Sequence, residues 1–260
     1  MKNAPFVLAL GIALVSVSLA VIAQTQRDKQ THESTEIWEP VPPVITPGTA
    51  AANATGTTPP SDAVVLFDGK NTDEWVAVSR GKTVEGPLQW PVTDGVLYSA
   101  KGFSARSKKE FTDFQLHVEF KTPSTVEGNG QSRGNSGIFL QGRYELQVLD
   151  NYNNPTYVNG MIGSIYKQAI PLVNPCRKPG EWQTYDIVYQ APAFNKAGLM
   201  TNYAYVTVLL NGVLVQNHAA IRGTTAYIGY PKVQAHGAGP IMIQDHGNPV
   251  GYRNIWIREL

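Results

Sequence analysis

Apolar and polar residues alternate with a period of two along much of the chain after residue 61, the spacing expected of half-buried β-strands. The clearest case sets Phe114, Leu116, Val118 and Phe120 against Gln115, His117, Glu119 and Lys121. Its polar side is expected to meet solvent on the convex side of a sheet, with His117 a surface residue. Residues 64–67 run into Asp68-Gly69 as a strand into a turn, and residues 182–189 read as a further strand. Asp94-Gly95 sits between 90–92 and 96–98, and Asn211-Gly212 sits between VTVLL and VLV, both in the manner of two-residue hairpin turns. Residues 241–244 and 252–260 supply the last strands. Trp75 and Trp90 flank a glycine-containing loop, and three longer polar stretches (123–134, 151–180 and 226–239) separate the strands. At least eight strands, with no helical pattern beyond the N-terminal segment, predict an all-β sandwich of two antiparallel sheets.

Two stretches carry polar groups suited to chemistry: NSGIFLQGRYELQVLD (135–150) and IMIQDHG (241–247). In the first, Arg143, Glu145 and Gln147 share one face and Tyr144, Leu146 and Val148 the other. In the second, Met242, Gln244 and His246 share a face opposite Ile241, Ile243 and Asp245. Such a strand can simply face water, and a β-bulge between Gly142 and Asp150 would swap Glu145 against its neighbours. Two distant strands with hydrogen-bonding side chains of this kind point to a polyhydroxylated ligand. The 123–134 loop, with Gly128, Gly130 and Gly134, is the natural rim of a cleft, and Tyr152, Tyr157, Tyr166 and Lys167 are candidates for one wall.

The 260 residues have 42% hydrophobic content, enough for a sizeable core, and 24 Gly, 18 Pro and 12 Tyr suit a turn-rich β protein. A net charge of +1, with no basic run, argues against nucleic acid as a partner. The first 23 residues have the form of a signal peptide: Lys2, an apolar run from Phe6 to Ala20, and Val21-Ile22-Ala23 at a small-residue cleavage site. No cysteine stands directly after that site, so a lipid-anchored lipoprotein is not expected. The competing reading is an uncleaved anchor, as residues 4–23 approach the roughly 20 needed to span a bilayer. Residues 24–61, rich in Pro, Thr and Ala, read as a flexible linker in which Trp38 is the one Phe, Tyr or Trp. The folded domain is expected over 62–260. Cys176, the only cysteine, cannot form an intramolecular disulfide and reads as a spectator.

The order LFDGKNTDEW, WPVTDGVLYS, FTDFQLHVEFK, NSGIFLQGRYELQVLD, GEWQTYDIVY, LNG and GPIMIQDHGNPVGYRNIWIREL resembles the 3-keto-disaccharide hydrolase family, over about 64–260. The resemblance implies a concanavalin-like jelly roll and an exported bacterial protein, periplasmic or extracellular. It also implies cleavage of glycosides whose sugar has been oxidised at carbon 3 by a partner sugar dehydrogenase. The run Glu145 to Asp150 is similar, too, to the Glu-x-Asp-x-x-Glu catalytic strand of laminarinase-type glycosidases. Here Gln147 replaces the middle acid and Asp150 the last, which argues against an ordinary retaining mechanism with two closely spaced carboxylates. A carbonyl at carbon 3 removes the need for one. It acidifies the proton on carbon 2, so a base can generate an enolate that expels the oxygen on carbon 1, with water adding afterwards or net hydrolysis resulting.

Glu145 and His246 are the candidate catalytic pair, one as base and the other as proton donor. Asn135, Arg143, Gln147, Tyr166, Lys167 and Gln244 are the candidate substrate-binding residues. A Glu–His pair with nearby carbonyl oxygens could also hold a divalent cation as Lewis acid, although no metal-ligand spacing is present. For Arg253 a structural salt bridge or a sheet-edge charge is expected. The rival reading is a carbohydrate-binding jelly roll of the cell envelope without chemistry, and a third is an assembly domain with a protein partner.

Overall fold

A computed structural model describes residues 30–47, 58–79 and 84–260, so the signal peptide expected at 1–23 lies outside the described residues. Among the described residues no helix is long and apolar enough to cross a membrane. Two units are distinguishable. In the smaller, which comprises 30–35 and Tyr227–Tyr230 among the described residues, the rings of His32 and Tyr227 stack at 5.0 Å. The larger unit spans Glu36–Ala226 and Pro231–Leu260 and contains every strand described.

The strands begin with β1 (Val64–Phe67), β2 (Trp75–Val78), β3 (Val84–Pro87), β4 (Val92–Thr93) and β5 (Val96–Tyr98). There follow β6 (Ser104–Phe111), β7 (Phe114–Lys121), β8 (Ser136–Leu140), β9 (Tyr144–Val148), β10 (Gln183–Gln190) and the short pair β11 (Ala193–Phe194) and β12 (Met200–Asn202). The last four are β13 (Ala204–Leu210), β14 (Val213–Ile221), β15 (Gly239–Ile243) and β16 (Gly251–Glu259). One sheet has the order β14-β13-β10-β7-β16-β5-β4, with β1 also on β16, and the other has β3-β2-β6-β15-β8-β9. This is a jelly-roll sandwich of two antiparallel sheets. Both hairpin turns read from the sequence form: Asp94 and Gly95 have φ of 51° and 74°, and Asn211 and Gly212 have 55° and 77°. Left-handed values at both central residues match the twist of the flanking strands.

β2, β3 and β6 lie where the alternation is weak. SARSKKEF in β6 holds only two core residues, Ala105 and Phe111, and the strand exists because it pairs with β2 and β15. The core between the sheets takes Phe114, Leu116, Val118 and Phe120 from β7, Tyr185, Ile187 and Tyr189 from β10, and Tyr144, Leu146 and Val148 from β9. Three tyrosines of the large sheet end in hydrogen bonds on the far side of the core. Tyr185 donates to the Gln147 carbonyl (2.7 Å), Tyr252 to Ser136 Oγ (2.7 Å) and Tyr189 to Gln141 Oε1 (2.8 Å). Apolar ring and satisfied hydroxyl together make a buried tyrosine stabilising and fix the sheets in register. Cys176 is buried, and burial pushes its thiol up to about 11, the behaviour of an inert core thiol.

The polar face of β7 departs from the sequence reading. His117 and Glu119 are buried, 2% and 5% exposed, not solvent-facing. The register between β7 and β16 shifts between Arg253 and Trp256, with Asn254 in a left-handed conformation (φ 46°). This irregularity gathers several side chains over the outer face of β7. Trp256 stacks flat on His117 (5.0 Å, 6°), Arg253 Nε donates to Glu119 Oε2 (2.6 Å) and Asn254 Nδ2 donates to Glu119 Oε1 (2.9 Å). Asp186 of β10 completes the cluster, its Oδ1 2.7 Å from His117 Nδ1. Arg253 thus has the salt-bridge role expected of it. Within the stretch read as a flexible linker, residues 36–45 are also held: Val158 N–H donates to the Ile37 carbonyl and Asn174 N–H to the Pro43 carbonyl.

Candidate active site

β9 is the edge strand of the six-stranded sheet, and its register with β8 runs unbroken from Ser136↔Val148 to Leu140↔Tyr144. No bulge displaces Glu145, so Glu145 and Gln147 share the face away from the core. Both are nonetheless buried, 5% and 1% exposed. The reason is the segment that follows: Tyr166 N–H donates to the Glu145 carbonyl, and Gln147 exchanges backbone hydrogen bonds with Ser164 and Gly163. Residues 163–166 therefore extend the sheet past β9, satisfy its free edge, and bring Tyr166 and Lys167 beside the polar face.

Across three strands, Gln147 pairs with Gly137, whose carbonyl accepts the Gln244 N–H at 2.9 Å. Two glutamines thus flank a glycine in one row. A Cβ on Gly137 would lie 2.5 Å from Glu145 Oε1, so the carboxylate occupies the dent that the missing side chain leaves. Gln147 Nε2 donates to Asn135 Oδ1 (3.3 Å) and Gln131 Oε1 (3.2 Å). Gln147 Oε1 and Gln244 Oε1 are buried and, among the described residues, have no hydrogen-bond partner. Orphaned buried acceptors are costly, and two on one face beside a carboxylate form a surface for donors such as sugar hydroxyls.

Tyr157 and Tyr166 lie near Glu145 with their hydroxyls 2.7 Å apart, and the Lys167 ammonium is 5.6 Å and 5.8 Å from their ring centres. Burial first, then the hydrogen bond to Tyr166 and the negative charges of Glu36 and Glu145, push the Tyr157 phenol far above its ordinary range. It stays a proton donor at any physiological pH. Lys167 is itself in a left-handed conformation (φ 58°), held by its N–H to the Asn159 carbonyl (2.7 Å).

Of the residues singled out from sequence, Asn135, Glu145, Gln147, Tyr166, Lys167 and Gln244 come together here. Arg143 does not continue the row; it lies in the turn before β9, where its carbonyl accepts from Thr225 and its charge acts on Tyr144 and His236. His246 is exposed in the turn beyond β15, two residues past Gln244. Gly137, Gln131 and Asn159 were not singled out, since their roles arise from cross-strand pairing and a distant loop. Tyr157 carried a signal, its place in a tyrosine-rich loop.

A cavity of about 380 Å³ adjoins the row, lined by Lys121, Tyr98, Arg133, Gly134, Asp150 and Asn248 among others. The two meet at Asn135, whose N–H donates to Asn248 Oδ1 at 2.7 Å. The buried acid of the cavity, Asp150, accepts from Arg133 Nε (2.6 Å) and the Tyr152 N–H (3.1 Å). Among the described residues no group of three or more His, Cys, Asp or Glu is arranged around a metal position. Gly137→Ala is expected to leave the fold intact and reduce activity, since the clash falls on a movable carboxylate. Thermal unfolding alongside steady-state kinetics checks this, and an unchanged kcat would remove Glu145 from the reacting position.

A two-sheet jelly roll with a buried carboxylate and unsatisfied amide oxygens on one sheet offers a polar surface suited to a polyhydroxylated ligand. Residues 62–258 match the 3-keto-alpha-glucoside-1,2-lyase-like domain, and the chain belongs to that family. It is 25% identical over 239 residues to a 3-keto-disaccharide hydrolase of Bacteroides thetaiotaomicron, spanning 76% of this chain and 78% of the relative. A crystal structure of a Parabacteroides distasonis protein provisionally named a glycosyl hydrolase is 56% identical, with a TM-score of 0.76 over 88% of this chain and 97% of that one. A second Parabacteroides distasonis protein, 23% identical with a TM-score of 0.53 over 76% and 99% of the two chains, shares the fold.

Proposed function

We propose that this protein is an exported enzyme that cleaves 3-keto-glycosides, including 3-keto-disaccharides, with Glu145 as the base. The observation that carries the reading is the Glu145 carboxylate set in the Gly137 dent between two buried, unsatisfied glutamine oxygens. Glu145 takes the proton from carbon 2, and the electron pair of that C–H bond forms the enolate of the carbon-3 ketone. Collapse of the enolate restores the ketone, forms the C1–C2 double bond and expels the oxygen on carbon 1, which takes up a proton. Water adding across the double bond gives net hydrolysis. The Lys167 ammonium and the Tyr157–Tyr166 hydroxyl pair are suited to stabilise the enolate oxygen, whereas Gln147, Gln244 and Asn135 hold sugar hydroxyls. His246, exposed two residues past Gln244, is the group assigned to supply the proton to the leaving oxygen. The ketone must be installed upstream by a sugar 3-dehydrogenase. The signal-like pattern of residues 2–23 supports export to the periplasm or beyond.

Incubation of the full chain with a 3-keto-glucoside, with and without chelator and added divalent cations, tests the reading. Aglycone release with an unsaturated keto sugar or its hydrate as co-product supports it, and the chelator arm decides the cation. Binding without release under every condition would replace the enzyme with a carbohydrate-binding module.

A further inference from the structure

The family match begins at residue 62, yet an earlier segment of the main unit reaches the candidate site. Residues 36–45 form a strap tied at both ends. Val158 N–H donates to the Ile37 carbonyl at 2.6 Å, and Ile37 N–H donates to Asn159 Oδ1 at 2.9 Å. Farther along, Val44 forms a parallel bridge with Asn174, which exchanges backbone hydrogen bonds with Pro43 and Ile45. Asn159 links strap to site, for its side chain holds Ile37 while its carbonyl holds the Lys167 N–H at 2.7 Å.

Trp38 follows directly. Its ring meets Tyr157 edge-on at 6.1 Å (70°), and Tyr157 in turn bonds Tyr166. Trp38 is nevertheless 56% exposed, so more than half of its surface is open to solvent. A large, mostly exposed ring whose neighbour Ile37 is held by hydrogen bonds on both sides, close to the Tyr157–Tyr166 hydroxyls, suits the apolar face of a sugar ring. Its position one ring beyond Tyr157 places it next to the reacting sugar's site.

We infer that residues 36–38 wall a second sugar subsite in which Trp38 stacks on the leaving sugar of a disaccharide. This rests on the glycoside reading above for the first sugar. It makes the strap, which lies outside the matched domain, the part of the chain that distinguishes disaccharides from glycosides with small aglycones.

The test uses the full chain and its Trp38→Ala and Trp38→Phe variants. Calorimetry compares an unoxidised glucose disaccharide with the corresponding methyl glucoside, and kinetics compares the two 3-keto forms. Trp38→Ala is expected to weaken disaccharide binding about tenfold, with Trp38→Phe recovering most of it and methyl glucoside binding as in the wild type. In turnover the loss falls on KM for the 3-keto-disaccharide rather than on kcat. Equal disaccharide affinity in the wild type and Trp38→Ala, equal losses for both ligands, or no disaccharide binding at all would each overturn the subsite. Trp38-dependent disaccharide binding by a wild-type protein that cleaves neither keto form would keep the subsite and discard the catalytic reading.

Discussion

Glu145→Gln is expected to lower kcat for a 3-keto-glycoside by on the order of 10³-fold while the protein stays folded and KM changes little. The amide has the size of the carboxylate and fits the same dent over Gly137. It cannot accept the carbon-2 proton, however, and general-base catalysis is lost with it. The groups assigned to ground-state binding are left in place: Gln147 on β9, Gln244 just past β15 and Asn135 just before β8. A fall in kcat at constant KM is the signature of an interaction made in the transition state alone. A second readout separates base from bystander: the wild type should exchange the carbon-2 proton of a non-cleavable 3-keto sugar for solvent deuterium, and the variant should not. Undiminished exchange in Glu145→Gln would assign the base elsewhere.

His117→Ala is expected to cost about 3 kcal/mol more folding stability near pH 6 than above pH 9, the gap to the wild type narrowing as the pH rises through 9. Burial on its own would push the His117 imidazole down. The Asp186 and Glu119 carboxylates outweigh it and raise the group from 6.5 to about 9. Burial likewise favours protonated Glu119, but His117, Asn254 and Arg253 prevail and lower it from 4.5 to about 2. The signs give the window. A raised histidine contributes fully below about 6.5 and loses its contribution as pH climbs through about 9. A lowered glutamate contributes fully above about 4.5 and loses its contribution as pH falls through about 2. Both hold together between about 4.5 and 6.5. The stabilisation belongs to the one cluster and is counted once. Urea unfolding of wild type and variant at pH 6 and pH 10 measures it, and an equal gap at both would mean that His117 is neutral in the folded protein.

The two predictions mark the limit of what alternation carries. Period-two spacing identified β7, β9, β10, β13, β14 and β16, and the Asp-Gly and Asn-Gly pairs identified two hairpins, because both signals are local: the side-chain period and a left-handed φ. It could not reveal β6, whose SARSKKEF is strand only through its partners, nor the burial of the β7 polar face. An alternating pattern states which residues share a face but not what lies over it. Over β7 the cover is Trp256 and Arg253, brought there by a shift in the β16 register that no residue of β7 encodes.

The candidate site divides in the same way. Its polar residues were legible as types: Glu145 and Gln147 on one face, Gln244 on a distant strand, and Tyr166 and Lys167 in a long loop. Sequence by itself determined the all-β class, the alternating faces, the two hairpins and the family. Only the tertiary structure decided that Gln147, Gly137 and Gln244 form one row and that an absent Cβ makes room for the carboxylate. It alone also folded residues 163–166 onto the β9 edge and docked a Pro-rich strap beside Tyr157. Strand faces follow from the chirality and spacing of neighbouring residues. Cross-strand register and loop docking depend instead on contacts between residues far apart in the chain, whose free energy exists only once the core has assembled.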